Sequence, residues 1–253
     1  MHIDTHVQAI EKLSALGPLR VWSLLVSVFG DLAPDCPLDG PTLSEIMKGI
    51  GIRPEATRVA LHRLRSDDWV ASEKTGRTSL HRLTEKGRRD SEEARVRIYG
   101  TPTQMGRSAQ VFLIPHADVT PDAALYAQIS SRAYITSAGT PLPEGAMKLA
   151  PMDFPHWLGP QIENTLLRDA YADLHAILAE IDKGLSNGPA LSPLETAVLR
   201  VMIVHAWRRL ALKHPDLPRA AHSKNWRGHD CRALVTTLLG RYPRPALDQI
   251  KAT

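Results

Sequence analysis

Within the stretch from Arg53 to Arg77 stand Arg53, Thr57, Arg58, His62, Arg63, Lys74 and Arg77, a set rich in fixed positive charge and short polar groups. Arginine presents a planar fork that bonds guanine O6 and N7 or a pair of phosphate oxygens, so such a cluster has the chemistry of polyanion recognition rather than of bond-making. The chain of 253 residues carries a formal charge of only +4, yet Arg53–Arg89 holds ten Lys or Arg against five Asp or Glu. The distribution of charge therefore says more than its total.

These residues need elements to hold them. Pro54 suits a first helical turn and Glu55 complements the helix dipole there, which predicts a helix opening at Pro54. At 100° per residue Thr57, Ala60, Leu61 and Leu64 share one face, and Arg58, Val59, His62, Arg63 and Ser66 lie around the other. Before it, "TLSEIMKGIG" predicts a short helix with Thr42 and Glu45 at capping-box spacing, ending at Gly49 or Gly51. After it, "WVASEK" and "TSLHRLT" predict a hairpin around "TGR". Two further helices precede these, over "THVQAIEKLSAL" and over "LRVWSLLVSVFGDL", the second with Val21, Leu24, Leu25, Val28 and Phe29 on its core face.

Helix, turn, helix and wing form an order that places the second helix in the major groove of DNA. Arg58, His62 and Arg63 are expected at base edges, Arg53 and Thr57 at phosphates near the helix start, and Lys74 and Arg77 at the wing tip. Two other readings stay open: the charges solvate an exposed helix, as charge runs commonly do, or the winged helix is a protein-interaction module.

Other chemistries find less in the sequence. Cys36 and Cys231 stand far apart with no CxxC spacing, so neither a disulfide framework nor a cysteine zinc site is expected. His205, His214, His222 and His229 lack HxH or HxxxH pairing, and no metal is expected. Neither GxSxG nor GxxxxGK[ST] occurs, so no enzyme is expected. With no long apolar run and no signal-like start, the chain is expected in the cytoplasm, away from membranes.

The segments "LLVSVFGD", "ATRVALHRLRSDDWV", "TGRTSLHRLTEKGRR" and "RIYG" resemble, in order and spacing, the amino-terminal winged helix of PaaX-type repressors of phenylacetate degradation. Near the other end, "HPDLP" and "NWRG" resemble that family too. The resemblance puts Arg58, Arg63 and the Gly76-Arg77 pair on family motif positions. It implies a homodimeric cytoplasmic repressor on a palindromic operator in double-stranded DNA, released by an acyl-CoA effector such as phenylacetyl-CoA, with no other cofactor. Family members carry tryptophans around the first strand of a ferredoxin-like central domain, and "GTPTQMGRSAQVFLIPHADV" has none. A related nuclease fold would place an acidic residue after that strand, where Pro115 and His116 stand instead.

The expected fold is α+β in three parts: a winged helix-turn-helix at 1–97, a small ferredoxin-like domain at 98–160, and a helical dimerisation and effector domain at 161–253. In the middle part "AQVFLI" and "RAYITSA" read as strands and "PDAALYAQIS" as a short helix. In the last, Ile162, Leu166, Ala170, Leu174, Ile177 and Ile181 form a stripe, and Ser192-Pro193 with Glu195 start a helix that is apolar nearly all round. Trp207 with Arg208 and Arg209 could stack an aromatic group and clamp a phosphate, both features of a CoA ester. A core tryptophan beside two surface arginines is the plainer reading of the same spacing.

Overall fold

A computed structural model describes residues 5–102, 108–116, 121–150, 153–185 and 189–250. The fold is mixed helix and sheet, in line with an α+β chain. Two compact units emerge: Met1–Val96 with Ala176–Ala206 and Leu234–Thr253, and Arg97–His175 with Trp207–Ala233. The helical tail expected as one part at 161–253 thus gives residues to both.

In the first unit α1 (Thr5–Ala15) and α2 (Val21–Leu32) are followed by a two-residue strand β1 (Leu38–Asp39), α3 (Gly40–Gly49) and α4 (Pro54–Ser66). Strands β2 (Val70–Thr75) and β3 (Thr78–Leu83) pair antiparallel from Val70 opposite Leu83 to Thr75 opposite Thr78, and β1 adds to the far side of β3. Gly76, at φ 62, takes the first central position of the two-residue turn, where a left-handed backbone matches the twist of the strands. Next comes α5 (Glu85–Tyr99), which the sequence reading passed over because its residues are polar on nearly every side. Its start is marked by Thr84, whose Oγ1 accepts the amide of Gly87 at 3.0 Å.

Capping corrects one expectation. The cap of α3 is Asp39, not Thr42: Asp39 Oδ1 accepts the Thr42 amide and Oδ2 the Thr42 hydroxyl, both at 2.8 Å. The carboxylate takes both donors and leaves Thr42 inside the first turn. At the other end Gly51 N–H donates to Lys48 O and Ile52 N–H to Met47 O, a Schellman closure that fixes the turn into α4.

In the second unit β5 (Ala127–Gln128), β6 (Ala133–Ser137), β4 (Ala109–Leu113) and β7 (Met147–Lys148) lie side by side in that order, all pairs antiparallel. Val111 and Ile135 pack with Leu158, Leu217 and Ala221, while Phe112, Ile114 and Tyr134 form a second cluster, as strand alternation dictates. The helix expected over Pro121–Ser130 is absent: a turn held by Leu125 and Tyr126 amides on Asp122 O leads into β5. The strand order, with the domain's first strand (β4) between its third (β6) and fourth (β7) and every neighbour antiparallel, is that of a ferredoxin-like sheet, while among the described residues between β4 and β7 there is no helix.

Helices α6 (Leu158–Ile162), α7 (Thr165–Leu185), α8 (Pro193–Ala211) and α9 (Gly228–Arg241) complete the chain. The buried stripe of α7 is Tyr171, Leu174, Leu178, Ile181 and Leu185, rotated from the expected one, and Leu166 is 80% exposed. Sequence spacing carried the stripe back through Ile162, which belongs to a separate short helix. The capping box of α8 forms as expected, with Ser192 N–H donating to Glu195 Oε2 at 2.7 Å and Glu195 N–H to Ser192 Oγ at 3.3 Å. No helix among the described residues is long and apolar enough to cross a membrane.

Candidate nucleic-acid interface

Helix α4 packs against α2, α3 and β2, and its inward face is the one that its spacing predicts. Thr57, Ala60 and Leu64 are buried and Leu61 is half-buried; Arg58, Val59, His62, Arg63, Arg65 and Ser66 are exposed. The helix closes in a second Schellman arrangement, with Trp69 N–H on Leu64 O at 2.8 Å and Asp68 N–H on Arg65 O at 3.1 Å, Asp68 standing at φ 53. That closure sends the chain straight into β2. Lys74 and Arg77 stand exposed at the hairpin end, and exposed Arg82 lies further down β3, opposite Ala71.

Electrostatics leave most of this charge available. Arg58 pairs with Glu55 at 2.9 Å, and Arg63 lies 3.7 Å from Asp67; all four side chains are more than half exposed. Pairs so solvated contribute little and are screened by salt, so both arginines can exchange their partner for a phosphate or a base. Arg63 is held from behind as well, its guanidinium 5.0 Å from the ring centre of Trp22. Arg53 is exposed just before the first turn, and His62 is exposed one turn after Arg58. Thr57 is the exception: it is 6% exposed and its hydroxyl donates to Arg53 O at 3.4 Å, so the expected phosphate contact is not available to it. Its β-branched methyl faces the core, as the helical period required. The sequence reading also left out Arg65, whose exposed side chain its position in "HRLRS" could have flagged.

The expected ligand clamp at Trp207 does not form. Trp207 is 2% exposed, its indole N–H donates to Ile98 O at 2.9 Å, and Arg232 covers its ring at 5.2 Å. Arg208 and Arg209 are half-buried, and burial works against the charge of Arg208. Trp207 is thus core, with no open face for a ligand.

A cavity of about 100 Å³ lies elsewhere in the second unit, lined by Ile162, Leu167, Pro215 and Leu217, by Trp226 and His222, and by the polar groups of Glu163, Asn164, Lys213 and His214. Part of its wall is built from the "HPDLP" and "NWRG" segments. Gly228 is required beside it, because a Cβ there would meet Trp226 Nε1 at 2.6 Å. His222 stacks on Trp226 at 4.4 Å with rings almost parallel, and its Nδ1 is 3.4 Å from Glu163 Oε1. Glu163 also accepts the amide and hydroxyl of Ser223, both at 2.7 Å. Burial pushes its pKa up, and the contacts from His222 and Ser223 outweigh that and hold it below the usual carboxylate range.

His214 donates from Nδ1 to Pro215 O at 2.8 Å, so its Nε2 must accept from Tyr171 Oη at 2.7 Å. Burial pushes its pKa down to about 3, and that of neighbouring His229 to about 4. Of the four histidines weighed for metal, His214, His222 and His229 come together through ring contacts, while His205 lies in the first unit against Ser27 Oγ at 3.3 Å. Among the described residues no group of three or more His, Cys, Asp or Glu is placed to hold a metal ion.

The chain is thus one with a helix–turn–helix and hairpin whose second helix carries an uncovered cationic face. Residues 20–87 match the family model described as PaaX-like protein, and residues 163–252 that of the PaaX-like protein C-terminal domain. Transcriptional repressor PaaX of Escherichia coli (strain K12) is 22% identical over 276 residues, covering 97% of this chain and 86% of that protein. The protein belongs to the PaaX-like family.

Proposed function

We propose that this protein is a cytoplasmic transcriptional regulator, a repressor without enzymatic activity, that binds double-stranded DNA through a winged helix-turn-helix. The observation that carries the reading is the division of α4: one face sealed by Thr57, Ala60 and Leu64, the other presenting Arg58, His62 and Arg63 to solvent. In this reading α4 enters the major groove, Arg58, His62 and Arg63 reach base edges, and Arg53, Lys74 and Arg77 hold phosphates. A homodimer presents two such helices to a palindromic operator, with half-sites one helical turn apart or a multiple of that. The relative named a transcriptional repressor supports the direction of regulation.

The regulated genes are those of an aromatic-acid catabolic operon of the phenylacetate kind, and an acyl-CoA such as phenylacetyl-CoA releases the protein from DNA. The cavity beside Trp226 supports this part, since a volume of about 100 Å³ with apolar walls and an aromatic base suits a ring-sized or shorter acyl group. Lys213 and Asn164 are the polar groups offered to the thioester or a phosphate.

The test is binding of the purified protein to DNA from upstream of its own gene at two salt concentrations, with and without a panel of acyl-CoA esters. Selective, steeply salt-dependent binding released by one ester is expected. Absence of selective binding under every condition overturns the regulator and leaves the outer face of α4 as a protein-docking surface.

A further inference from the structure

Among the large apolar side chains of α4, Val59 alone is turned outward, at 72% exposure. Singly exposed apolar residues are common and by themselves say nothing. Val59, however, sits in the middle of the cationic face, next to Arg58 and one turn before His62 and Arg63, which flank it at i+3 and i+4. Local structure gains nothing from it: a β-branched residue is a poorer helix former than the alanine or lysine that an exposed site normally takes. Its stiff side chain projects two methyl groups at one fixed place. The cations around it can hold phosphates or hydrogen-bond bases, and none of them can make an apolar contact of that shape.

The major groove has one apolar feature, the C5 methyl of thymine. Resting on the proposal that α4 enters that groove, we infer that Val59 is a specificity-determining residue that reads a thymine methyl, packing its isopropyl group against it. Arg58 and Arg63 fix the helix in register, and Val59 selects thymine at the position beneath it. Burial of one methyl corresponds to about a fourfold change in affinity.

The experiment starts from the duplex that the full-length protein selects from a random pool. Each thymine in one half-site is replaced in turn by deoxyuridine, which removes only the methyl, and affinities of the unaltered protein and of Val59→Ala are compared. The unaltered protein is expected to lose about three- to fivefold at one thymine, and Val59→Ala to bind both duplexes equally there while keeping its losses elsewhere. The exposed position makes the variant's melting temperature a direct control for folding. A deoxyuridine penalty that Val59→Ala retains at every thymine, or no penalty at any, overturns the inference while leaving DNA binding in place. Failure to select any duplex overturns the DNA-binding reading itself, and the inference with it.

Discussion

Arginine meets two different fates in this molecule. On α4, Arg58 and Arg63 stand in solvent, each beside one carboxylate three or four residues away along the chain. In the second half of the chain Arg200 and Arg232 are 4% and 5% exposed. Arg200 donates to both Asp31 oxygens, at 3.0 and 2.9 Å, to Leu239 O at 2.9 Å, and to Tyr242 O. Arg232 reaches Asp216 at 2.8 Å and the carbonyls of Arg97 and Gly100 at 3.0 and 3.1 Å. A guanidinium with most of its donors engaged inside the protein has little to offer a ligand; one paired only in water can change partner at little cost. Charge in a sequence thus marks a binding face only where the fold leaves it unspent.

The sharpest way to break this contrast is Arg200→Ala. It takes from buried Asp31 a guanidinium that meets both its oxygens and removes a donor from two carbonyls, so unfolding in urea should show a loss of about 3 to 5 kcal/mol. A loss below about 1 kcal/mol would place Arg200 with the surface arginines.

Acid provides the next largest effect. His214 and His229 hold pKa values of about 3 and about 4 in the fold, below the ordinary ~6.5 of an unfolded chain. Between those values the unfolded state binds more protons, so stability is full above about pH 6.5 and falls as pH is lowered toward about 3. Urea titrations at pH 7 and about pH 5.3 should differ by on the order of 3 kcal/mol, and His214→Gln should remove roughly half of that difference.

On the exposed side, Arg58→Ala and Arg63→Ala should each cost about 1 to 3 kcal/mol at one operator position, measured against a panel of single-base variants. Thermal stability should change by no more than about 0.5 kcal/mol for Arg58→Ala and slightly more for Arg63→Ala, which gives up its place over Trp22. The smallest effects belong to the hairpin: Lys74→Ala and Arg77→Ala should weaken all duplexes alike and each lower the slope of log affinity against log salt by about one.

The outward face of α4 was legible because a 3.6-residue period acts on every residue of a helix at once, and "ATRVALHRLRS" keeps it without a break. The box at Ser192 and Glu195 was legible for a similar reason, since both partners lie within four residues. Elsewhere local signals competed. Asp39 displaced Thr42 as a cap because a carboxylate satisfies two donors where a hydroxyl satisfies one. The segment Pro121–Ser130 has helical composition, yet its last residues are drawn into a strand because β6 offers a partner edge.

By itself the sequence determined which charges face outward on α4, where the hairpin turns, and which family the chain resembles, all properties carried by neighbours within a few residues or by a pattern along the chain. Tertiary structure alone decided that Trp207 is core, that Arg200 and Arg232 are engaged inside the protein, and that "HPDLP" and "NWRG" meet around a cavity. Those outcomes depend on partners 16 to 169 residues away, and no local rule reports which distant carbonyl or carboxylate will be there to meet a side chain.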